Sequence, residues 1–301
     1  MWFKNLQVYR LTKPFELDPQ KIGELLAEQA FTPCSSQELS TTGWVSPLGK
    51  LSEEFVHAAN GYIMLCNKRQ DKLLPASVVN EELAEKVAHI EETDARSVSR
   101  KERTELKEEI IFTLLPQAFA RSSLQFAYFS LADQTLVLNA ASVKKADEFI
   151  QDLRKAIGSL AVIPLATNNV PIDAMTSWVK QGSLSNNFEL GGECDLRDNV
   201  DLASVIRCKN QDLSSSEIQN LLDANMQVSK LALSWNEKIE CVLDEKLAIK
   251  RLRFTDVVQE QVENADDMAA QFDADFAMMT LELSAFTKAL VDALGGASAT
   301  E

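Results

Sequence analysis

Basic residues that could contact phosphate groups are concentrated in a few short stretches of this 301-residue chain. The stretch 246–253 holds four basic residues and no acid, and the stretch 96–107 holds five basic residues and two acids. Lys144-Lys145 opens a predicted helix, and Arg207 and Lys209 lie together. Guanidinium and ammonium groups pair well with phosphate oxygens. The alternative is a solvated edge strand or helix face protected by cations, and the residues leave both interpretations open.

The predicted strand Ala248–Phe254 carries the densest basic group. Because side chains alternate along a strand, Arg251 and Arg253 are expected on one face and Lys250 on the other. Aromatic residues do not interleave with any basic cluster. This disfavours recognition of single strands by base stacking and favours contact with the backbone of a duplex.

The overall charge opposes binding to a polyanion. Thirty basic and forty-five acidic residues give a formal net charge of −15. A uniformly acidic surface repels phosphate. Since salt screens charges over about 8–10 Å, a phosphate-binding surface must gather its cations locally, and we expect the surplus carboxylates to lie elsewhere.

Catalytic motifs are scarce. The two histidines, His57 and His89, fit structural and solvated positions, and neither a zinc-protease motif, a nucleophile elbow nor a glycine-rich phosphate loop occurs. Asp273 and Asp275 could hold a metal but fit better as caps of the last helix. The acids before them do not follow a calcium-loop spacing; they are Asp256, Glu260, Glu263, Asp266 and Asp267. We therefore expect no enzyme activity, no metal and no cofactor.

The cysteine pattern and the length of the apolar runs indicate the cellular compartment of the protein. The cysteines are odd in number, widely spaced and without a CxxC pair, so we interpret them as small buried residues in a reducing environment. No apolar run reaches the ~20 residues that a bilayer requires, and the N-terminus lacks the pattern of a signal peptide. We expect a cytoplasmic protein.

Periodicity predicts an α+β fold with mixed or antiparallel sheets. Asp18 and Pro19 begin one helix, and another runs from Ser142 to Ile157 with Gly158 after its end. Helical spacing from 77 to 115 is interrupted by a polar stretch, which predicts a protruding helical region with a break near Ser97–Ser99. We expect a centre domain of 1–75 and 120–167, a helical tip of 76–119 and a base domain of 168–301.

Short motifs in order along nearly the whole chain resemble the RdgC family of recombination-associated proteins. The motifs are Phe3-Lys4-Asn5-Leu6, Val8-Tyr9-Arg10-Leu11, Ala30-Phe31-Thr32-Pro33-Cys34, Gly43-Trp44-Val45, Leu114-Leu115-Pro116, Lys230-Leu231-Ala232-Leu233, Lys250-Arg251-Leu252 and Phe272-Asp273-Ala274-Asp275-Phe276. The resemblance implies a ring-shaped homodimer whose basic inner wall surrounds double-stranded DNA without sequence preference. It also implies association with the nucleoid and restraint of RecA-promoted strand exchange.

The resemblance also implies site residues. Phe119 matches a family phenylalanine that closes the ring by tip-to-tip contact, although a core aromatic is the alternative. Gln211 matches a family glutamine beside a basic pair, whereas Asn210 and Gln117 stand where the family can have cations. With the basic clusters, the expected DNA contacts are Arg96, Arg100, Lys101, Arg121, Lys144, Lys145, Lys209, Gln211, Lys250, Arg251 and Arg253.

Two other hypotheses remain open. The acidic stretch from Asp256 to Asp275 could make the protein a regulator that contacts RecA directly or mimics DNA. A hydrolase or nuclease has only Asp273 and Asp275 in its support.

Overall fold

The structure, a computed structural model, describes residues 2–14, 18–201, 203–260 and 267–298. It has an α+β architecture, and all of its strand pairings within these ranges are antiparallel. The predicted fold class is confirmed at this level. The division into centre, tip and base domains stays a prediction.

The first sheet is built from the N-terminal half of the chain. It contains β1 (Gln7–Leu11), β2 (Ser40–Val45), β3 (Val56–Ala59), β4 (Tyr62–Leu73), β5 (Phe119–Ser130), β6 (Thr135–Leu138) and β7 (Val162–Pro164). The strand order is β2-β4-β5-β6-β1-β7, with β3 paired to β4 beside β2. The long strands β4 and β5 pair along their whole length, from Tyr62 with Ser130 to Leu73 with Phe119.

The second sheet is built from the C-terminal half. It contains β8 (Phe188–Asp198), β9 (Val205–Lys209), β10 (Met226–Trp235), β11 (Ile239–Asp244) and β12 (Ile249–Phe254). The strand order is β12-β11-β10-β8-β9. The two sheets meet where Leu6 forms an antiparallel bridge with Ile249.

Eight α-helices lie within the described ranges. They are α1 (Pro19–Ala27), α2 (Ala76–Asp94), α3 (Arg100–Leu114), α4 (Val143–Ile157), α5 (Pro171–Gln181), α6 (Ser216–Asp223), α7 (Asp256–Gln259) and α8 (Met268–Ala293). None of these helices combines the length and the apolar character needed to cross a bilayer.

The predicted local signals for α1 and α4 are confirmed. Asp18 accepts a hydrogen bond from the backbone N–H of Lys21 at 2.7 Å, and Ser142 accepts one from Lys145 at 3.4 Å. Both caps satisfy a backbone donor that has no partner inside the helix. Gly158 ends α4 with a φ of 86°, a conformation that glycine adopts at little cost.

The predicted break in the helical region is also confirmed. The chain leaves α2 at Ala95, whose φ is 49°, and Ser99 caps α3 by accepting from the N–H of Glu102. The first six residues of β5 are exposed, whereas its last four are buried. The helix pair therefore extends from the far end of a two-stranded β4–β5 arm.

Two cores hold the sheets in place. One lies between the first sheet and the helices α1 and α4. The other joins both sheets through α8. Phe276 of α8 packs its ring 6.2 Å from Tyr128 in the first sheet, and Phe286 packs 5.8 Å from Trp235 in the second. Because α8 contacts both sheets, it fixes them to one another.

The predicted start of the last helix is wrong. The helix begins at Met268, and Asp267 caps it by accepting from the N–H groups of Ala269 and Ala270 at 2.8 Å. Asp273 instead pairs with the Nε2 of His57 at 3.1 Å. The helix starts earlier because Met268-Ala269-Ala270-Gln271 consists of good helix formers. Glu263 and Asp266, named with this acidic stretch, lie outside the described residues.

Candidate nucleic-acid interface

The face of the second sheet that points away from α8 carries four of the candidate residues, Lys209, Lys250, Arg251 and Arg253. Its charged side chains come from all five strands. Those around its hollows are six basic and four acidic side chains: Arg207, Lys209, Lys230, Lys250, Arg251 and Arg253, with Glu193, Asp195, Glu240 and Asp244. They surround two adjoining hollows of about 380 and 340 Å³. We call this surface the sheet face.

A β-bulge decides which side chains reach the sheet face. Glu240 pairs with Arg253 and Val242 pairs with Lys250, so two residues of β12 lie opposite one residue of β11. These two residues are Arg251 and Leu252, and the φ of Arg251, 50°, is in the left-handed region. A bulge breaks the alternation of side chains. Lys250 therefore shares the outer face with Arg251 and Arg253, and the prediction that it lies on the opposite face is wrong.

The hollow in the sheet face depends on small residues. A Cβ atom at Gly191 would lie 2.8 Å from the Cβ of Ala232. Glycine at this position lets β8 approach β10 closely. Gly191, Gly192 and Ala232 line the same hollow as Arg251 and Glu193, whose side chains form an ion pair.

Carboxylates neutralise much of the sheet face. Arg251 Nη2 lies 2.5 Å from Glu193 Oε2, and Lys250 Nζ lies 2.7 Å from Asp244 Oδ2. The other pairs are Lys230 with Asp195 at 2.5 Å, Arg207 with Asp195 at 3.9 Å and Arg253 with Glu240 at 3.9 Å. The expectation that acids lie away from the basic residues is therefore wrong for this face, because cross-strand neighbours of opposite charge attract.

Lys209 differs from these paired cations. It lies opposite Glu193 in the β8–β9 register, but within the described ranges it forms no ion pair. Next to it, Asn210 turns the chain with a φ of 51°, and the N–H of Gln211 donates to the carbonyl of Gly192 at 3.1 Å. Lys209 thus lines one of the two hollows, and Gln211 lies at a further hollow beside Gly191 and Gly192.

A second polar surface lies between the first sheet and α4. We call it the α4 groove; its volume is about 280 Å³, and Lys145, Arg69 and Gln125 line it. Gln125 Nε2 donates to the backbone carbonyl of Lys145 at 3.0 Å. Arg121 lies on the same face of β5 as Ser123 and Gln125, nearer to the start of the strand. It forms no ion pair with any other described residue.

Lys4 and Asn5 connect the α4 groove with the sheet face. The Oδ1 atom of Asn139 accepts from both backbone N–H groups, at 3.2 Å each. The carbonyl of Lys4 accepts from Leu252 at 2.8 Å. Lys4 also lines both the α4 groove and a hollow beside Arg253. The sequence analysis did not single out Lys4 as a candidate, because a single lysine gives no cluster signal and the residues that it meets are more than 130 positions away.

The remaining candidate cations lie on α3 and α4 and in the loop that joins α2 to α3. Arg96 makes a bidentate contact with Glu102 at 2.7 and 2.8 Å and also meets Asp94 at 3.4 Å. Lys101 approaches Glu105 at 3.8 Å, and Lys144 approaches Glu148 at 4.0 Å. Arg100 has no ion pair in the described part of the chain. Arg96, Arg100 and Lys101 are near the end of the arm and are not brought together with the sheet face.

Phe119 lies at the start of β5, where the arm meets the helix pair. It is 85% exposed, and its register partner Leu73 is 50% exposed. The alternative interpretation as a core aromatic is therefore wrong. Phe112 of α3, which the sequence analysis did not single out, is 63% exposed. Such exposed apolar side chains are typical of contact surfaces.

Metal ligands do not cluster in the described ranges: no group of three or more histidine, cysteine, aspartate or glutamate side chains is placed to hold an ion. Asp273 and Asp275 are each engaged otherwise, with His57 and with the Nε2 of Gln271.

These features define an α+β protein with two antiparallel sheets, a sheet face that gathers basic and acidic side chains, and a projecting arm. A sequence model of the family described as "Putative exonuclease, RdgC" matches residues 1–297. A protein of Aeromonas hydrophila named "Recombination-associated protein RdgC" is 48% identical over 298 residues, which cover 98% of each chain. Relatives with the same name in Tolumonas auensis and Pseudomonas aeruginosa are 46% and 44% identical, over 99% and 98% of this chain and 100% and 98% of their own. The chain belongs to the RdgC family.

Proposed function

We propose that this protein binds double-stranded DNA without sequence preference as a ring-shaped homodimer and takes part in homologous recombination. The observation that carries the proposal is the line of basic side chains from Lys145 and Lys4 in the α4 groove, past Arg253, to Arg251 and Lys209 on the sheet face. A line of this kind can follow a phosphate backbone, whereas isolated surface cations cannot.

Backbone contact accounts for the absence of sequence preference. The basic side chains project from a broad sheet surface, and lysine and arginine contacts with phosphate position a protein without reading bases. Neutralising phosphates releases counterions, which supplies most of the affinity in nonspecific binding. Around the two hollows of the sheet face, six cations stand against four acids, and this local surplus supports a phosphate-binding site in a chain whose net charge is −15.

The exposed apolar side chains of the arm support a dimer. In a contact between the arms of two copies, the side chains of Phe119 and Phe112 would be buried away from water. With a second contact at the opposite end of the molecule, two copies would form a ring around the duplex. Enclosure would slow dissociation without requiring any base contact.

Restraint of RecA follows from occupation of the duplex. A closed ring on DNA would obstruct filament growth or homologous pairing. The relatives carry the name "Recombination-associated protein", which fits a role of this kind and would place the protein at the nucleoid in the cytoplasm.

A titration of a labelled duplex at increasing salt concentrations tests the proposal. We expect log Kd to depend steeply on log salt, by about 0.9 per phosphate contact, and to be equal for unrelated sequences. Lys209→Ala should weaken binding, whereas Lys288→Ala should not, because Lys288 lies exposed on α8, which covers the other face of the second sheet. Affinity independent of salt, or equal loss in both variants, would contradict the proposal.

The ion pairs of the sheet face favour a second candidate function, an acidic regulator that contacts RecA directly or mimics DNA. Five cations on this face already have carboxylate partners. Reversing the charges of Arg251 and Arg253 separates the two functions. Inhibition of RecA-promoted strand exchange should disappear if duplex binding is its cause, and should persist if direct contact is its cause.

A further inference from the structure

We propose that Glu193 occupies the place of a DNA phosphate in the unbound protein and thereby lowers the affinity for DNA. In this role its carboxylate holds the guanidinium group of Arg251 until a phosphate displaces it. The inference rests on the proposed function and names Glu193 as the residue that lowers the affinity for DNA.

The ion pair spans most of the sheet face. Arg251 belongs to β12 and Glu193 to β8, with β11 and β10 between them, so their backbones are separated by three strand spacings, roughly 14 Å. The side chains nevertheless meet, with Arg251 Nη2 at 2.5 Å from Glu193 Oε2. Small residues below, Gly192 and Ala232, leave the space above the sheet open for this contact.

The pair is accessible to an incoming ligand. The side chain of Arg251 is 58% exposed and that of Glu193 is 31% exposed. Both line the two hollows that contain most of the cations. A phosphate that enters either hollow can therefore approach the guanidinium group without moving the backbone.

The chemistry of the two anions makes the exchange possible. Carboxylate and phosphate present similar oxygens to the donors of a guanidinium group. The hydrogen bond from Arg251 lowers the pKa of Glu193, as do the nearby charges of Arg251 and Lys209. Glu193 is thus ionised at neutral pH and competes with phosphate for the same partner, while its charge repels the displacing phosphate.

The opposite role, in which Glu193 positions Arg251 for DNA, is less well supported by the backbone. Arg251 is the bulge residue, and its neighbour Leu252 donates to the carbonyl of Lys4 at 2.8 Å. The N–H of Arg251 itself donates to Oδ1 of Asn5 at 3.4 Å. Because the register and these bonds fix where Arg251 emerges, the position of its backbone does not depend on Glu193.

Glu240 provides a matched control on the same face. Its contact with Arg253 is 3.9 Å long, and both side chains are more than half exposed. Glu193→Gln and Glu240→Gln each remove one negative charge from the sheet face with almost no change of shape. A difference between them therefore measures the specific contact with Arg251 and not the general change of charge.

The experiment is a titration of a labelled mixed-sequence duplex with the full chain at fixed salt, after melting curves confirm that each variant is folded. We expect Glu193→Gln to lower Kd by about tenfold and Glu240→Gln by less than about twofold. The salt dependence of Glu193→Gln should also steepen by up to about 0.9, because Arg251 becomes available for a full phosphate contact.

The same titration of Glu193→Gln in a protein that also carries Arg251→Ala tests whether Glu193 acts through Arg251. If Glu193 acts by occupying Arg251, the gain from Glu193→Gln should be lost in that background. A gain that persists there, equal gains in both glutamine variants, or weaker binding by Glu193→Gln would each overturn the inference. Wild-type protein that fails to bind the duplex would overturn the proposed function and the inference with it, whereas normal wild-type binding with unchanged variants would overturn the inference alone.

Discussion

Asn5 and Arg251 are 246 positions apart in the chain and are joined by a hydrogen bond from the backbone N–H of Arg251 to the Oδ1 atom of Asn5, at 3.4 Å. Next to them, Leu6 and Ile249 form the bridge between the two sheets. The N-terminal segment therefore makes one surface from the α4 groove and the sheet face, and Lys4 lies at the junction.

Lys4→Ala should weaken duplex binding although the residue belongs to no basic cluster. Its side chain is exposed and forms no ion pair with another described residue, so it can give a complete phosphate contact. We expect Kd to rise by about three- to tenfold and the salt dependence to fall by about 0.9. Gel-shift titrations at several salt concentrations measure both quantities. Lys288→Ala is the control, and an equal effect in the two variants would contradict a contact at Lys4.

Phe119→Ala should weaken the dimer and shorten the lifetime of the DNA complex, with little loss of folding stability. The side chain is 85% exposed, so its removal leaves no cavity in the monomer. Sedimentation velocity and dissociation after addition of competitor DNA measure the two expected effects. Leu281→Ala on α8, where the residue is 60% exposed, serves as the comparison. An unchanged dimer with unchanged DNA lifetime would exclude Phe119 from ring closure.

Cys66 and Cys241 should resist alkylation in the folded protein. Burial raises the pKa of each thiol to about 12, so neither is ionised at pH 8, and the thiolate is the reactive form. Iodoacetamide labelling followed by mass spectrometry should modify the half-buried Cys34 and Cys208 first. Rapid labelling of Cys241 without unfolding would show that the second core opens.

The same thiols should reduce stability at high pH. Their pKa is about 12 in the folded state and near 9 when the chain is unfolded, so above pH 9 the folded state binds more protons. Their contribution to the free energy of unfolding is complete below pH 9 and is lost as pH rises towards 12. Urea titrations between pH 8 and 11 follow this loss, and Cys241→Ala should lessen it.

Purified protein should not degrade DNA in Mg²⁺ or Mn²⁺, although the family description contains the word exonuclease. The acids around the hollows of the sheet face are each held by a lysine or arginine, which engages the oxygens that a metal ion would need. Release of nucleotides from end-labelled duplex and single strands tests this expectation. Degradation that disappears on mutation of a carboxylate of this chain would show it to be wrong.

Local features of this protein follow from the sequence. Asp18, Ser142 and Gly158 act on backbone groups within four residues, so the ends of α1 and α4 are predicted by their immediate neighbours. The break between α2 and α3 follows from the polar stretch around Ser99. The RdgC family is recognisable from motifs spread along the chain.

The composition of the candidate site was decided only by the tertiary structure. The bulge that turns Lys250 to the same face as Arg251 depends on the pairing of β12 with β11 and leaves no mark in an alternating sequence. Glu193 reaches Arg251 from a strand 58 positions away, and Lys4 joins two surfaces through partners more than 130 positions distant. Charge clusters show where cations are frequent, but which acid neutralises each one depends on strand order and register, and these are fixed by long-range packing.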